Sequence, residues 1–162
     1  MIEKAKLSQL PAIMAIYERA RTFMAQSGNP DQWGTAYPPE EMIRQDIAAG
    51  KCYVNSEEQI IRAVFYFAIE EDPTYGYIEG AWLNERPYGV IHRIAVGESG
   101  RGAAAECFRF AYSKCPNLRI DTHEKNIPMQ RCLAKHGFER CGIIYLEDGD
   151  PRIAYQKVIK NG

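Results

Sequence analysis

The order of hydrophobic patterns along this chain predicts an α/β fold: a mixed, mostly antiparallel sheet flanked by helices. Three observations carry the prediction. Two segments of helical period come first, strand-like runs dominate the middle, and a strand–helix–strand–helix–strand–strand series closes the chain. No internal repeat, low-complexity tract or linker interrupts the 162 residues, so a single domain is expected over residues 1–162.

The elements follow in order. Ser8 is placed to cap a first helix with Pro11 in its first turn. Leu10, Ile13, Met14, Tyr17 and Met24 recur at helical spacing, and Gly28 marks the stop. A loop to Tyr37 carries Asp31 and Trp33 before Pro38-Pro39-Glu40-Glu41 opens a second helix, which buries Met42, Ile43 and Ile47 and ends at Gly50. Strands are expected around Cys52–Asn55 and Ile60–Ile69, separated by a polar turn. Asp72 to Pro87 mixes turn residues with aromatics, and Tyr88 to Val96 reads as a buried strand. A Gly-rich turn (Gly97, Gly100, Gly102) leads into a helix through Cys115, stopped by Pro116. Leu118, Ile120 and Thr122 alternate as a strand. Asn126 caps a helix ending at Gly137, and Phe138–Leu146 with Ile153–Ile159 form a hairpin around Asp148-Gly149.

Bulk properties narrow the function. Apolar residues make up 46% and charged residues 25%, with a net charge of −1, so no global field draws the chain to nucleic acid or an anionic membrane. Five cysteines without a C-x-x-C pair argue against a disulfide framework or a zinc site, and no metal is expected. The first twenty residues contain Glu3, Lys4, Lys6, Glu18 and Arg19 and no continuous apolar segment. The longest apolar run, Ala63 to Ile69, is too short to span a bilayer. A cytoplasmic protein is the expectation.

The chemically informative segment runs from Val90 through the Gly-rich turn to Ala104. Unpaired amides at the start of a helix, with the helix dipole, make an anion site suited to a diphosphate. Arg101 adds positive charge, Gly102 permits close backbone approach, and Ala103, Ala104 and Ala105 keep the first turn uncluttered. The turn is neither a Walker loop nor a dinucleotide fingerprint. Read alone, it also fits an ordinary strand-to-helix connection.

A second piece decides. Asn126-Ile-Pro-Met129 opens a helix that closes with Lys135-His-Gly-Phe138. With the Gly-rich turn, this resembles the GNAT superfamily of acetyl-CoA-dependent N-acetyltransferases. That family's Q/R-x-x-G-x-G/A motif aligns with Ser99 to Ala104, and its Asn followed about eleven residues later by Gly-Phe aligns with Asn126 and Gly137-Phe138. The resemblance covers Tyr88 to Leu146. It implies acetyl-CoA as cosubstrate and direct attack of a primary amine, small molecule or peptide, on the thioester. It further implies that the strand containing Ile94, Ala95 and Val96 pairs with the pantetheine arm, and that amides from Arg101 through Gly102, Ala103 and Ala104 to Ala105 hold the diphosphate. Asn126 would bond the cofactor and Met129 would pack on it. Many members form homodimers. The residue-level alternatives are a plain helix cap for Asn126 and core packing for Met129.

The chain departs from the family at three positions. Ser99 replaces Gln or Arg, Glu106 places a carboxylate near the expected diphosphate, and Leu133 stands where a general-acid tyrosine is common. For the base, His92 is the first candidate, on the cofactor strand and on the same face as Ile94 and Val96 by strict alternation. Glu79 is the second, with Glu85 behind it, because aromatic neighbours would desolvate its carboxyl. Tyr145 could replace the missing acid if the sheet brings it close. Trp33, Tyr37 and Trp82 would line the acceptor site and Asp31 would attract a cationic amine. The departures leave a non-catalytic acyl-CoA-binding regulatory domain as the competing expectation, and an interaction module whose turn binds nothing as a third.

Overall fold

The computed structural model describes residues 1–98 and 100–158. Four α-helices pack on an eight-stranded sheet among these residues. In chain order they are β1 (Ile2–Lys4), α1 (Leu10–Gln26), α2 (Glu40–Ala48), β2 (Cys52–Glu57), β3 (Ile60–Ile69), β4 (Glu79–Gly80), β5 (Gly89–Val96), α3 (Ala103–Lys114), β6 (Asn117–Thr122), α4 (Ile127–Lys135), β7 (Glu139–Tyr145) and β8 (Pro151–Val158).

Helix α1 buries Leu10, Ile13, Ile16 and Tyr17, one stripe of a 3.6-residue period. Its start corrects the expected cap. A short 3-10 turn over Leu7–Gln9 precedes it, closed by the Lys6 amide donating to Gln9 Oε1 at 2.8 Å, so Ser8 does not cap the helix. Helix α4 does start as its sequence demands: Asn126 Oδ1 accepts from the Met129 amide at 3.2 Å, and Pro128 occupies a first-turn position that needs no donor.

The strand order is β1-β2-β3-β5-β6-β8-β7-β4, and every adjacent pair is antiparallel except β5–β6. Phe65, Phe67, Ile91, Ile94, Phe108 and Leu133 fill the core under α3 and α4. On the opposite face Ile13, Tyr17, Ile43, Val54, Val64 and Ala95 pack beneath α1 and α2.

Two irregularities in β5 create the site. First, β5 and β6 pair only at Gly89↔Leu118 and Val90↔Arg119; beyond those residues the strands splay apart. Second, β5 is bulged. Val64 faces Ala95 and Tyr66 faces His92, so Arg93 and Ile94 together oppose one residue of β3. Arg93 takes the extra residue's strain, with φ at +49°. The bulge reverses the expected alternation. Ile91, not His92, shares the α3 face with Ile94 and Val96, and His92 turns to the other side, against Tyr66 and Tyr75.

Candidate active site in the split of the sheet

The splay opens a cleft of about 820 Å³. Its walls are β5 from Ile91 to Ile94 and β6 from Ile120 to Thr122. Around them stand the start of α4, the α1–α2 loop with Asp31, Trp33 and Tyr37, the Asp72–Thr74 turn, and the β7–β8 turn. Because none of Ile91–Val96 pairs with β6, that edge of β5 presents unladdered backbone groups to the cleft.

His92 is held by a carboxylate. Its Nε2 lies 2.7 Å from Asp72 Oδ2, while Asp72 Oδ1 accepts from the Thr74 amide at 2.8 Å and the Thr74 hydroxyl at 2.6 Å. Burial alone would raise the Asp72 carboxyl, but the bonds from His92 and Thr74 outweigh it and hold the group down at about 2. A carboxylate only accepts, so the hydrogen of this contact sits on His92 Nε2, which leaves Nδ1 as the ring nitrogen not engaged by Asp72. Beside this pair, the Tyr75 hydroxyl donates to Asp121 Oδ2 at 2.7 Å; burial raises the Asp121 carboxyl, more than the nearby His92 and Tyr75 lower it.

The bulge that aims His92 is itself clamped. The Tyr17 hydroxyl donates to the Arg93 carbonyl at 2.8 Å. The Arg93 guanidinium donates through Nε to Asp46 Oδ2 at 3.0 Å, approaches the same oxygen through a second nitrogen at 2.9 Å, and stacks 4.7 Å from the Tyr66 ring centroid. Arg93 also donates to the Tyr37 hydroxyl at 3.3 Å. A left-handed, non-glycine residue persists only when its surroundings over-determine it, and these contacts from α1, α2, β3 and the α1–α2 loop do so.

At the far end of β5 the machinery is backbone. A Cβ on Gly100 would lie 1.9 Å from Val96 Cγ1 and 2.6 Å from the Arg62 carbonyl oxygen, so no larger residue fits. Gly102 adopts φ +80° to turn the chain into α3, and no side chain caps the helix. The Ala103 amide bonds the Gly100 carbonyl at 2.8 Å, whereas the Ala104 and Ala105 amides have no backbone acceptor among the described residues. These donors, with Arg101 exposed beside them, fit a diphosphate. Glu106 is turned toward β2, where its Oε2 accepts from Asn55 Nδ2 at 2.8 Å. Ser99 lies outside the described residues.

Other expected site residues fall in varied places. Ile94 and Ala95 are buried in the two opposite cores, and Val96 packs partly buried with Ile94. Asn126 lines the cleft but is engaged at both ends, capping α4 and donating to Gln32 Oε1 at 2.9 Å; Met129 lines the cleft while packing on the α3-side core. Glu79 is a correction. It is exposed on β4, the sheet's outermost strand, bonded to Tyr145 and separated from β5 by three strands. Tyr145 is exposed on β7 outside the cleft, as is Glu85 in its loop, and Trp82 instead donates to the Tyr75 carbonyl and stacks on Arg119. Leu133 is fully buried among the α3-side core residues. Burial pushes the Cys52 and Cys107 thiols up to about 12, which makes them poor nucleophiles. No cluster of three or more His, Cys, Asp or Glu suited to a metal exists among the described residues, and no helix among them is long and apolar enough to cross a membrane.

Sequence reasoning missed Asp72, Asp46 and Tyr17. Asp72-Pro73-Thr74 signals a turn, since an Asp there bonds the amide two residues on, but nothing local says that the other oxygen meets a histidine 20 residues later.

No family model matches the chain, and no curated protein sequence matches it. Solved structures do. An acetyltransferase of the GNAT family from Streptococcus agalactiae is 32% identical over 99% of this chain and 96% of its own, with a TM-score of 0.89. A putative acetyltransferase from Staphylococcus aureus is 26% identical over 99% of both chains, with a TM-score of 0.74. A NatC complex bound to a Gag peptide and CoA shares the fold alone, at 13% identity, 99% and 98% coverage and a TM-score of 0.64.

Proposed function

The chain belongs to the GNAT family of acetyltransferases, and on that premise we propose that it transfers an acetyl group from acetyl-CoA to a primary amine by direct attack. One observation supports the reading: a single strand, β5, carries an oriented histidine at its middle and runs at its α3 end into a turn with free amides, with an unpaired edge facing a cleft between them.

Acetyl-CoA, when bound, supplies the activated thioester. The amides of Ala104 and Ala105 and the Arg101 charge would hold its phosphates, and the open edge of β5 would orient its extended arm as an added strand. An aliphatic ammonium has an ordinary pKa of about 10.4, so the acceptor must lose a proton before attack. His92 Nδ1 takes that proton, while Asp72 fixes the ring and stabilises the imidazolium that forms. Because Leu133 is core, the chain offers no tyrosine there to protonate the departing sulfur. The sulfur departs as a thiolate and takes up the second proton that the attacking nitrogen sheds as it becomes an amide, so the step balances without a dedicated acid.

Thermal unfolding with acetyl-CoA, CoA and ATP, followed by thiol release with a panel of amines, tests the proposal. A ligand at 100 times its Kd adds about 2.7 kcal/mol of stability. Stabilisation by acetyl-CoA but not ATP, followed by amine-dependent thiol release, is the expected result. Stabilisation without turnover of any amine would point to a non-catalytic acyl-CoA-binding domain, and no stabilisation at millimolar ligand would overturn the reading.

A further inference from the structure

The turn that holds His92 is itself tied across the split of the sheet. Asp72 and the 3-10 turn Pro73–Tyr75 that follows it supply two supports of the histidine from one short segment. The Asp72 carboxylate accepts from Nε2, and the Tyr75 ring centroid lies 6.1 Å from that of the imidazole. The Tyr66 ring of β3 stands 5.6 Å away from the imidazole as well.

Three hydrogen bonds fix this segment to its surroundings. The Asp72 amide donates to the Tyr88 hydroxyl at 2.8 Å, and Trp82 Nε1 donates to the Tyr75 carbonyl at 3.0 Å. Both partners belong to the connection between β4 and β5. The third bond, from the Tyr75 hydroxyl to Asp121 Oδ2 at 2.7 Å, reaches β6, the wall of the cleft opposite His92. Tyr75 is buried, and burial together with the Asp121 charge pushes its phenol well above the ordinary value, so the hydroxyl stays a donor. Backbone pairing offers no substitute at this depth, since β5 and β6 pair only at Gly89↔Leu118 and Val90↔Arg119.

We propose that Tyr75 and Asp121 are positioning residues whose bond across the split fixes the turn that presents Asp72 to His92, and so the direction of the imidazole. This rests on the acetyltransferase reading and deepens it by naming what aligns its base. The pair acts through Asp72 and His92 rather than on the substrate. Without the bond, the turn keeps its ties to the β4–β5 connection but loses its anchor on the opposite wall. Catalysis falls steeply with such misplacement, by about 10²-fold for about 1 Å.

The test compares Tyr75→Phe, Asp121→Ala, the two combined, and Asp121→Asn, at a temperature where thermal scans show each variant folded. With acetyl-CoA and an amine that the wild type acetylates, the first two should each lower kcat about 10- to 100-fold, with KM for both substrates little changed. The combined variant should lose no more than either alone, because one bond is broken once. Asp121→Asn keeps an acceptor oxygen and should retain most of what Asp121→Ala loses. A second readout needs no turnover. In the protein without cofactor, the His92 Nε2 hydrogen should give a downfield proton resonance, identified by its loss in His92→Ala. It should persist in Asp121→Asn and vanish by exchange in Tyr75→Phe and Asp121→Ala. An unchanged kcat in Tyr75→Phe, additive losses in the combined variant, or Asn as damaging as Ala would overturn the proposal. A rise in amine KM alone would also overturn it, by placing Asp121 on the substrate. If the wild type acetylates no amine, the acetyltransferase reading fails by itself. The resonance then decides: its absence from the wild type, or its persistence in Tyr75→Phe, overturns the positioning role.

Discussion

The middle of β5 and its α3 end are built in opposite ways. At the α3 end the candidate binding groups are backbone amides, released by a turn in which Gly100 is sterically required and Gly102 is conformationally required. At the bulge in the middle of the strand the candidate groups are side chains held by partners from other elements: His92 by Asp72, and Arg93 by Asp46 and Tyr37, with Tyr17 on its carbonyl. A backbone site tolerates most substitutions nearby but none at its glycines. A side-chain site can be dismantled one partner at a time, and each removal should have its own signature.

Several substitutions would break or sharpen this contrast. His92→Ala should lower kcat by about 10²- to 10⁴-fold, the usual worth of a positioned base, while leaving stabilisation by acetyl-CoA intact. If that variant lost cofactor binding instead, the two regions would not be separate devices. Asp46→Ala strands the Arg93 guanidinium in the interior and should cost about 3–5 kcal/mol in urea unfolding. A loss below about 1 kcal/mol would mean that the clamp does not hold the bulge. Gly100→Ala should cost about 1–3 kcal/mol by overpacking against Val96 and the Arg62 carbonyl, and should reduce the thermal shift with acetyl-CoA more than it reduces stability without ligand.

Asp72→Asn should cost about 2 kcal/mol near neutral pH, in line with a carboxyl held at about 2 against an ordinary value of roughly 3.9. The sign follows from that depression. The stabilisation is present above the ordinary value and is lost as pH falls toward about 2, so the gap between wild type and variant should close across that window. A gap that stays constant between pH 5 and pH 2 would show that the Asp72 charge is not what holds His92.

The same contrast explains what could be read from the sequence. Gly102, Asn126 and the Gly137-Phe138 pair are local signals, because a positive φ, a cap or a helix stop depends on neighbours in the chain. The long strands and all four helices were legible for the same reason. The three-residue β1 and two-residue β4 were not, since neither is long enough to show a period. His92 was singled out by residue type, but its face was misassigned, because strict alternation assumes no bulge and the bulge is held by Tyr17, Tyr37 and Asp46 converging on Arg93 from distant parts of the chain. Glu79 failed differently. Its aromatic neighbours in sequence do not bury it, because β4 ends up at the sheet's outer edge.

The seam between β5 and β6 has a mechanical meaning. Four strands lie on either side of it, and two residue pairs rivet the halves together, while every other junction is an antiparallel ladder. Backbone pairing is sparsest along this line, so the side-chain core that spans it, Phe65, Ile91 and Ile94 on one side with Leu118, Ile120 and Ile153 on the other, carries most of the connection between the two halves of the sheet. An extended ligand in the split would act as a splice across that boundary. Its binding should slow hydrogen exchange on the facing edges of β5 and β6 together.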